Sequence, residues 1–85
     1  MEMTQLDRVL YIKRIDSVIV ELQSLAQKML PINYTTVASI TGAINHLAIA
    51  RVHYKEDNIA RAESELIKAY TAYPGEIYEL IRGEL

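Results

Sequence analysis

The sequence predicts an all-α fold: an antiparallel bundle of three main helices followed by a short C-terminal one. Three observations carry this. Apolar residues recur at spacings of three and four through most of the chain, which is the period of a helix face and not of a strand. Only three Gly and two Pro occur in 85 residues, too few for the many turns of an all-β fold. Pro31, the polar run Glu56-Asp57-Asn58 and Pro74-Gly75 cut the chain into segments of helical length.

The first helix is expected over residues 4–30. Thr4 with Asp7 three positions on is a variant of the capping box, with Asp in place of the usual Glu. Ile12, Ile15, Ile19, Leu22, Ala26 and Met29 form a seam, and Tyr11, Val18 and Leu25 widen it. Pro31 has no backbone N–H to donate and biases Leu30 away from helix, so the segment stops there. Leu6, Val9, Leu10 and Val20 point away from the seam. Scattered exposed aliphatics are common, and four of them off the packed face of one helix are also the sign of a second contact surface.

The second helix is expected over residues 35–55, with Asn33, Thr35 and Thr36 all able to cap it. Val37, Ile40, Ile44, Leu47, Ala48, Ile49 and Val52 are its apolar positions, and Ala38, Gly42, Ala43, Ala48 and Ala50 are small enough for close helix approach. It is the natural central helix. Asp57 or Asn58 is expected to cap a third helix over residues 58–73, with Ile59, Ala62, Leu66, Ala69, Tyr70 and Tyr73 on its inner face and Ile67 beside it. Arg61 and Glu65 stand four apart, as a surface ion pair would. Ile77, Leu80 and Ile81 mark a fourth helix over residues 76–84, with Glu76 near its positive end.

Residues 43–76 resemble one tetratricopeptide repeat, the 34-residue helix–turn–helix unit. His46, Ile49-Ala50, His53, Ala62, Leu66, Ala69 and Pro74 fall at the spacings of that pattern. The residue types agree at Ile49, Ala50, Ala62, Leu66, Ala69 and Pro74, whereas His46 and His53 occupy its usual large and aromatic positions. The resemblance implies that Ala50, Ala62 and Ala69 sit where two antiparallel helices cross, with Ile49 and Leu66 filling between them. It also implies a protein-interaction scaffold. A shift by one repeat length puts Asp16 and Lys28 at small-residue positions, so one repeat is the most the chain holds. A lone repeat leaves two stacking faces open, and the first and last helices would cover them. In length, helical content and its Met-Thr-Gln-Leu stretch near the N-terminus, the chain is also similar to small co-chaperones of type III secretion needle subunits.

Composition excludes several chemistries. There is no Cys, hence no disulfide, thiolate metal site or Cys nucleophile. No nucleophile elbow, phosphate-cradling Gly loop or zincin motif occurs, and an enzyme is not expected. Net charge is −2, without the basic footprint that nucleic acid requires. Residues 56–85 carry seven acids against three bases, which makes that end acidic. From Met29 to Ala50 no residue is formally charged, but Pro31, Asn33, Asn45 and His46 make the run too polar for a membrane span. It reads as a helix buried on most sides or covered by a second chain. No signal peptide is evident, so a cytoplasmic location is expected.

His46 and His53 lie on one face, about 10 Å apart along the axis at ~1.5 Å per residue, too far to share one ion within a chain. A metal or haem reading therefore needs two chains, or a set such as His53 with Glu56. The repeat pattern puts both histidines at packing positions, and no cofactor is expected. What remains is a small protein-binding or adaptor module that self-associates, with a phage- or plasmid-type inhibitor of a host complex as the alternative. The expected contacts are Leu6, Val9, Leu10 and Val20 on the first helix and a Tyr70, Tyr73 and Tyr78 patch, whose rings would otherwise fill the core in a chain without Phe or Trp.

Overall fold

The computed structural model describes residues 4–75 and Ile77. The described chain is all-α: α1 Gln5–Met29, α2 Tyr34–Lys55 and α3 Ile59–Ala72, with no strand among the described residues. The fourth helix expected over residues 76–84, and Tyr78 within it, lie outside the described residues.

Each helix begins and ends for a local reason. Thr4 and Asp7 form the complete capping box, each side chain bonded to the other's backbone N–H at 3.1 Å. Before α2, the Asn33 side chain accepts from the Thr36 N–H at 3.1 Å, so Asn33 is the cap among the three candidates and the helix starts at Tyr34. Asp57 has φ 60°, the left-handed conformation usually left to Gly. Its N–H reaches the Tyr54 carbonyl at 3.2 Å and that of Asn58 reaches the His53 carbonyl at 2.8 Å. These two bonds make the Schellman motif that closes α2. Asp57 is therefore a stop for α2 and not a cap for α3. Asn58 occupies the cap position of α3 without a side-chain bond, and that helix runs one residue shorter at each end than expected.

α1 and α2 run in opposite directions. The Arg8 guanidinium, near the start of α1, donates to the carbonyls of Tyr54 and Lys55 at the end of α2, at 3.2 and 3.5 Å. There it adds a donor to the last-turn carbonyls, one of which, Tyr54, also accepts from the Asp57 N–H, at the negative end of the helix dipole. Further along, Arg51 donates to Asp16 at 2.7 Å. α2 and α3 also run in opposite directions, tied by a 2.7 Å bond between His46 Nδ1 and a Glu65 carboxylate oxygen. Helix packing among the described residues is α1 on α2 and α2 on α3, so α2 is the middle element. The molecule measures 43 × 20 × 18 Å.

The core follows this order. α1 contributes Ile15, Val18 and Leu22, α3 contributes Ala62, Leu66 and Ala69, and α2 between them contributes Ile40, Ala43, Leu47, Ala50 and Tyr54. Ile77 is also fully buried. Tyr54 is the largest buried side chain, and its ring stacks on Tyr11 with centroids 5.4 Å apart. Burial disfavours ionisation of both phenols and pushes their pKa above the ordinary value.

Three sequence expectations are corrected. Ala48, Ile49 and Val52 are not core: all three are exposed on α2, and Ile49 does not fill the α2–α3 crossing, where Leu47 and Leu66 are buried instead. Glu65 does not pair with Arg61. It turns toward α2 and is held by His46 at 2.7 Å and Lys68 at 3.3 Å, because a half-buried bond of good geometry outcompetes a solvated surface pair. Ile67, placed beside the inner face of α3, is mostly exposed.

Candidate partner-binding surface

α1 is packed along one side only. Its buried centre is Ile15, Val18 and Leu22, and α3 does not reach it. At 100° per residue, Leu6, Val9, Leu10 and Val20 project on the opposite side from those three. Their exposures are 67%, 42%, 39% and 64%. The stripe Leu6–Leu10–Lys13–Ser17–Val20 keeps the alternating spacing of four and three that a helix seam uses, yet no described element of this chain covers it.

A shallow cleft of about 290 Å³ sits in this stripe, lined by Leu10, Lys13, Arg14 and Ser17. Arg14 is half-buried, and its Nε is shut off from solvent with no hydrogen-bond partner. Among the described residues neither Arg14 nor Lys13 takes part in an ion pair, whereas Arg8 and Arg51 are both engaged by carboxylates. Lys13 and Arg14 were not among the residues picked from the sequence. The signal was present, since position 13 continues the Leu6–Leu10 register, but a search for apolar residues passes over a cation standing in their midst.

The aromatic patch is brought together only in part. Tyr70 is 36% exposed near the end of α3, and Tyr73 packs against the core from the partly buried shell. A Cβ at Gly75 would meet the Tyr73 ring at 2.9 Å, so the chain needs Gly there for the ring to lie across it. Tyr78 lies outside the described residues.

α2 adds a surface in the uncharged stretch for which the sequence left burial or cover by a second chain open. Tyr34, Ala38, Thr41, Asn45, Ala48 and Val52 follow the same four-and-three alternation and are all exposed, as is Ile49 beside them. None is charged. The Thr41 hydroxyl donates back to the Val37 carbonyl at 2.9 Å, which occupies its proton within the helix. Leu30 and Ile32 extend the exposed apolar surface into the α1–α2 loop.

The ionisable groups are arranged as ties between helices. The hydrogen bond from His46, together with Lys68, holds the Glu65 carboxyl below its ordinary value. His53 Nδ1 is buried without a partner. No group of three or more His, Asp or Glu side chains able to hold a metal occurs among the described residues, and none of the described helices is long and apolar enough to cross a membrane.

The chain matches no family model, no curated protein and no solved structure.

Proposed function

We propose that the protein is a non-enzymatic protein-binding or adaptor module that works through helix faces and also pairs with a second copy of itself. The observation that carries this is the outer side of α1, where Leu6, Val9, Leu10 and Val20 stand exposed in seam-like register with nothing described packed on them. In this reading the helices, with a short C-terminal one, make a single antiparallel bundle whose second half is a tetratricopeptide-like hairpin. The full burial of Ala50, Ala62 and Ala69 supports that arrangement, since small residues are what a close helix crossing demands.

Self-pairing draws its support from α2. If two copies lay their α2 stripes together in opposite directions about a two-fold axis, Tyr34 would face Val52, Ala38 would face Ala48 and Thr41 would face Asn45. Large residues then meet large ones at the ends, alanine meets alanine next, and the polar Thr41 and Asn45 meet in the middle. No charge opposes the approach anywhere between Met29 and Ala50.

Two double variants separate these surfaces. Leu6→Asp with Leu10→Asp should abolish capture of partner proteins and leave the molar mass by light scattering unchanged. Ala38→Glu with Ala48→Glu should lower the molar mass to that of a monomer. A wild-type protein that is monomeric at every concentration, or a capture profile unchanged by the α1 substitutions, would remove the corresponding half of the reading.

A further inference from the structure

We propose that the outer face of α1 takes an acidic amphipathic helix of a partner protein, with a partner carboxylate seated in the cleft between Lys13 and Arg14. This rests on the reading of α1 as a binding surface and names what binds there.

The argument is one of charge complementarity inside an apolar frame. At 100° per residue Lys13 falls at the middle of the arc swept by Val9, Val20, Leu6 and Leu10, and Arg14 borders the same arc beside Leu10. A partner that covers the aliphatics must also cover these two cations. Both lack an ion pair among the described residues, and the Arg14 Nε is withdrawn from water without a hydrogen-bond partner there. Covering them with an uncharged helix would desolvate two cations without compensation, which is costly. A carboxylate carried between the apolar positions of the incoming helix supplies what is missing, and an Arg fork accepts it with directional hydrogen bonds. The Ser17 hydroxyl, on the cleft wall one turn on, adds a further donor.

Position also separates this from a lipid surface. Helices that lie on membranes carry their cations on the polar face, flanking the apolar one. Here Lys13 interrupts the apolar face itself, where it would be driven into the acyl region. Among the described residues a second copy of this chain offers a poor occupant as well: the exposed stripe of α2 carries no carboxylate, and α3 exposes a single large aliphatic, Ile67.

The test uses three labelled synthetic helical peptides with the same leucine stripe, flanked by Glu, by Gln or by Lys, titrated by fluorescence anisotropy against the full chain. The Glu peptide should bind about tenfold tighter than the Gln peptide and the Lys peptide weaker still, with the preference shrinking as salt rises. Lys13→Glu with Arg14→Glu should reverse the order. Lys13→Gln with Arg14→Gln should flatten it while the circular dichroism spectrum stays helical, which guards against a folding defect. Equal binding of all three peptides to the wild type, abolished by Leu6→Asp with Leu10→Asp, would overturn the carboxylate proposal and leave the binding surface standing. Binding of none would overturn both. Uptake of the protein by phosphatidylserine vesicles with no preference among the peptides would replace the partner helix by a lipid surface.

Discussion

Ala62→Leu probes the α2–α3 crossing directly. Ala62 is fully buried on α3, and so are Ala43 and Ala50 on α2 and Ala69 one turn pair further along α3. The substitution adds three carbons where small side chains set the approach of two backbones. Leu47 and Leu66 already fill the larger spaces, so the new side chain must leave its rotamer well or push α3 away. Overpacking of this kind costs about 1–3 kcal/mol. For a domain of this size each kcal/mol moves Tm by roughly 4–8 °C, so a fall of about 4 °C or more is expected in a thermal melt followed by circular dichroism. The same change at exposed Ala60, two residues earlier, is the control and should stay within about 0.5 kcal/mol of wild type. A Tm for Ala62→Leu equal to or above that of the control would refute close crossing at this seam.

Gly42→Ala should do the opposite: among the described residues a Cβ there would meet only the Ala72 Cβ, at an ordinary 3.9 Å, so relief of the helix-interior Gly penalty should stabilise the fold by about 0.5–1 kcal/mol in a urea melt. Asp57→Gly should stabilise by about 1 kcal/mol, because it removes the left-handed strain at φ 60° and forfeits only a solvated 3.6 Å contact with Arg8; a loss of stability would show that this contact matters more than the strain. The fold holds the Glu65 carboxyl below its unfolded value of 4.5, so its contribution is present above that pH and disappears as pH falls through the lowered value. The Tm gap between wild type and Glu65→Gln should therefore be full at about pH 6 and close by about pH 3, and a gap that widens on acidification would contradict the sign.

The order of elements was legible because their ends are written in local chemistry. Pro31, the Thr4–Asp7 box and the Glu56-Asp57-Asn58 turn each act over three or four residues, a range that a sequence exposes. The seam of α1 was legible for the same reason, since a helix packed on one neighbour shows a single periodic stripe. α2 was not. It is packed by α1 on one flank and α3 on another, so apolar and small residues spread around most of its circumference and the period is lost. That is why Ala48, Ile49 and Val52 were not told apart from the buried apolar positions and Tyr54 was passed over, although Ile40, Leu47 and Tyr54 stand seven apart and mark the true inner line.

The same geometry explains where the open surfaces lie. Three helices packed in sequence, middle to both ends, leave the far side of each end helix and one strip of the middle helix without a neighbour among the described residues. Charge can keep such a strip in water, and α3 follows that course with Arg61, Glu63 and Lys68 exposed around Ile67. α1 and α2 do not. The strip of α2 carries no charge at all, and that of α1 carries Lys13 and Arg14 among its aliphatics, neither in an ion pair among the described residues, with Glu21 further along its edge. A hairpin selected only to remain folded and dispersed gains nothing from either pattern, whereas a neutral strip suits an identical partner and a cationic one suits an acidic partner. On the proposed reading the two surfaces have different roles, the α2 strip in self-pairing and the α1 strip in partner binding. A single variant that altered both molar mass and peptide preference would show that they are one surface after all.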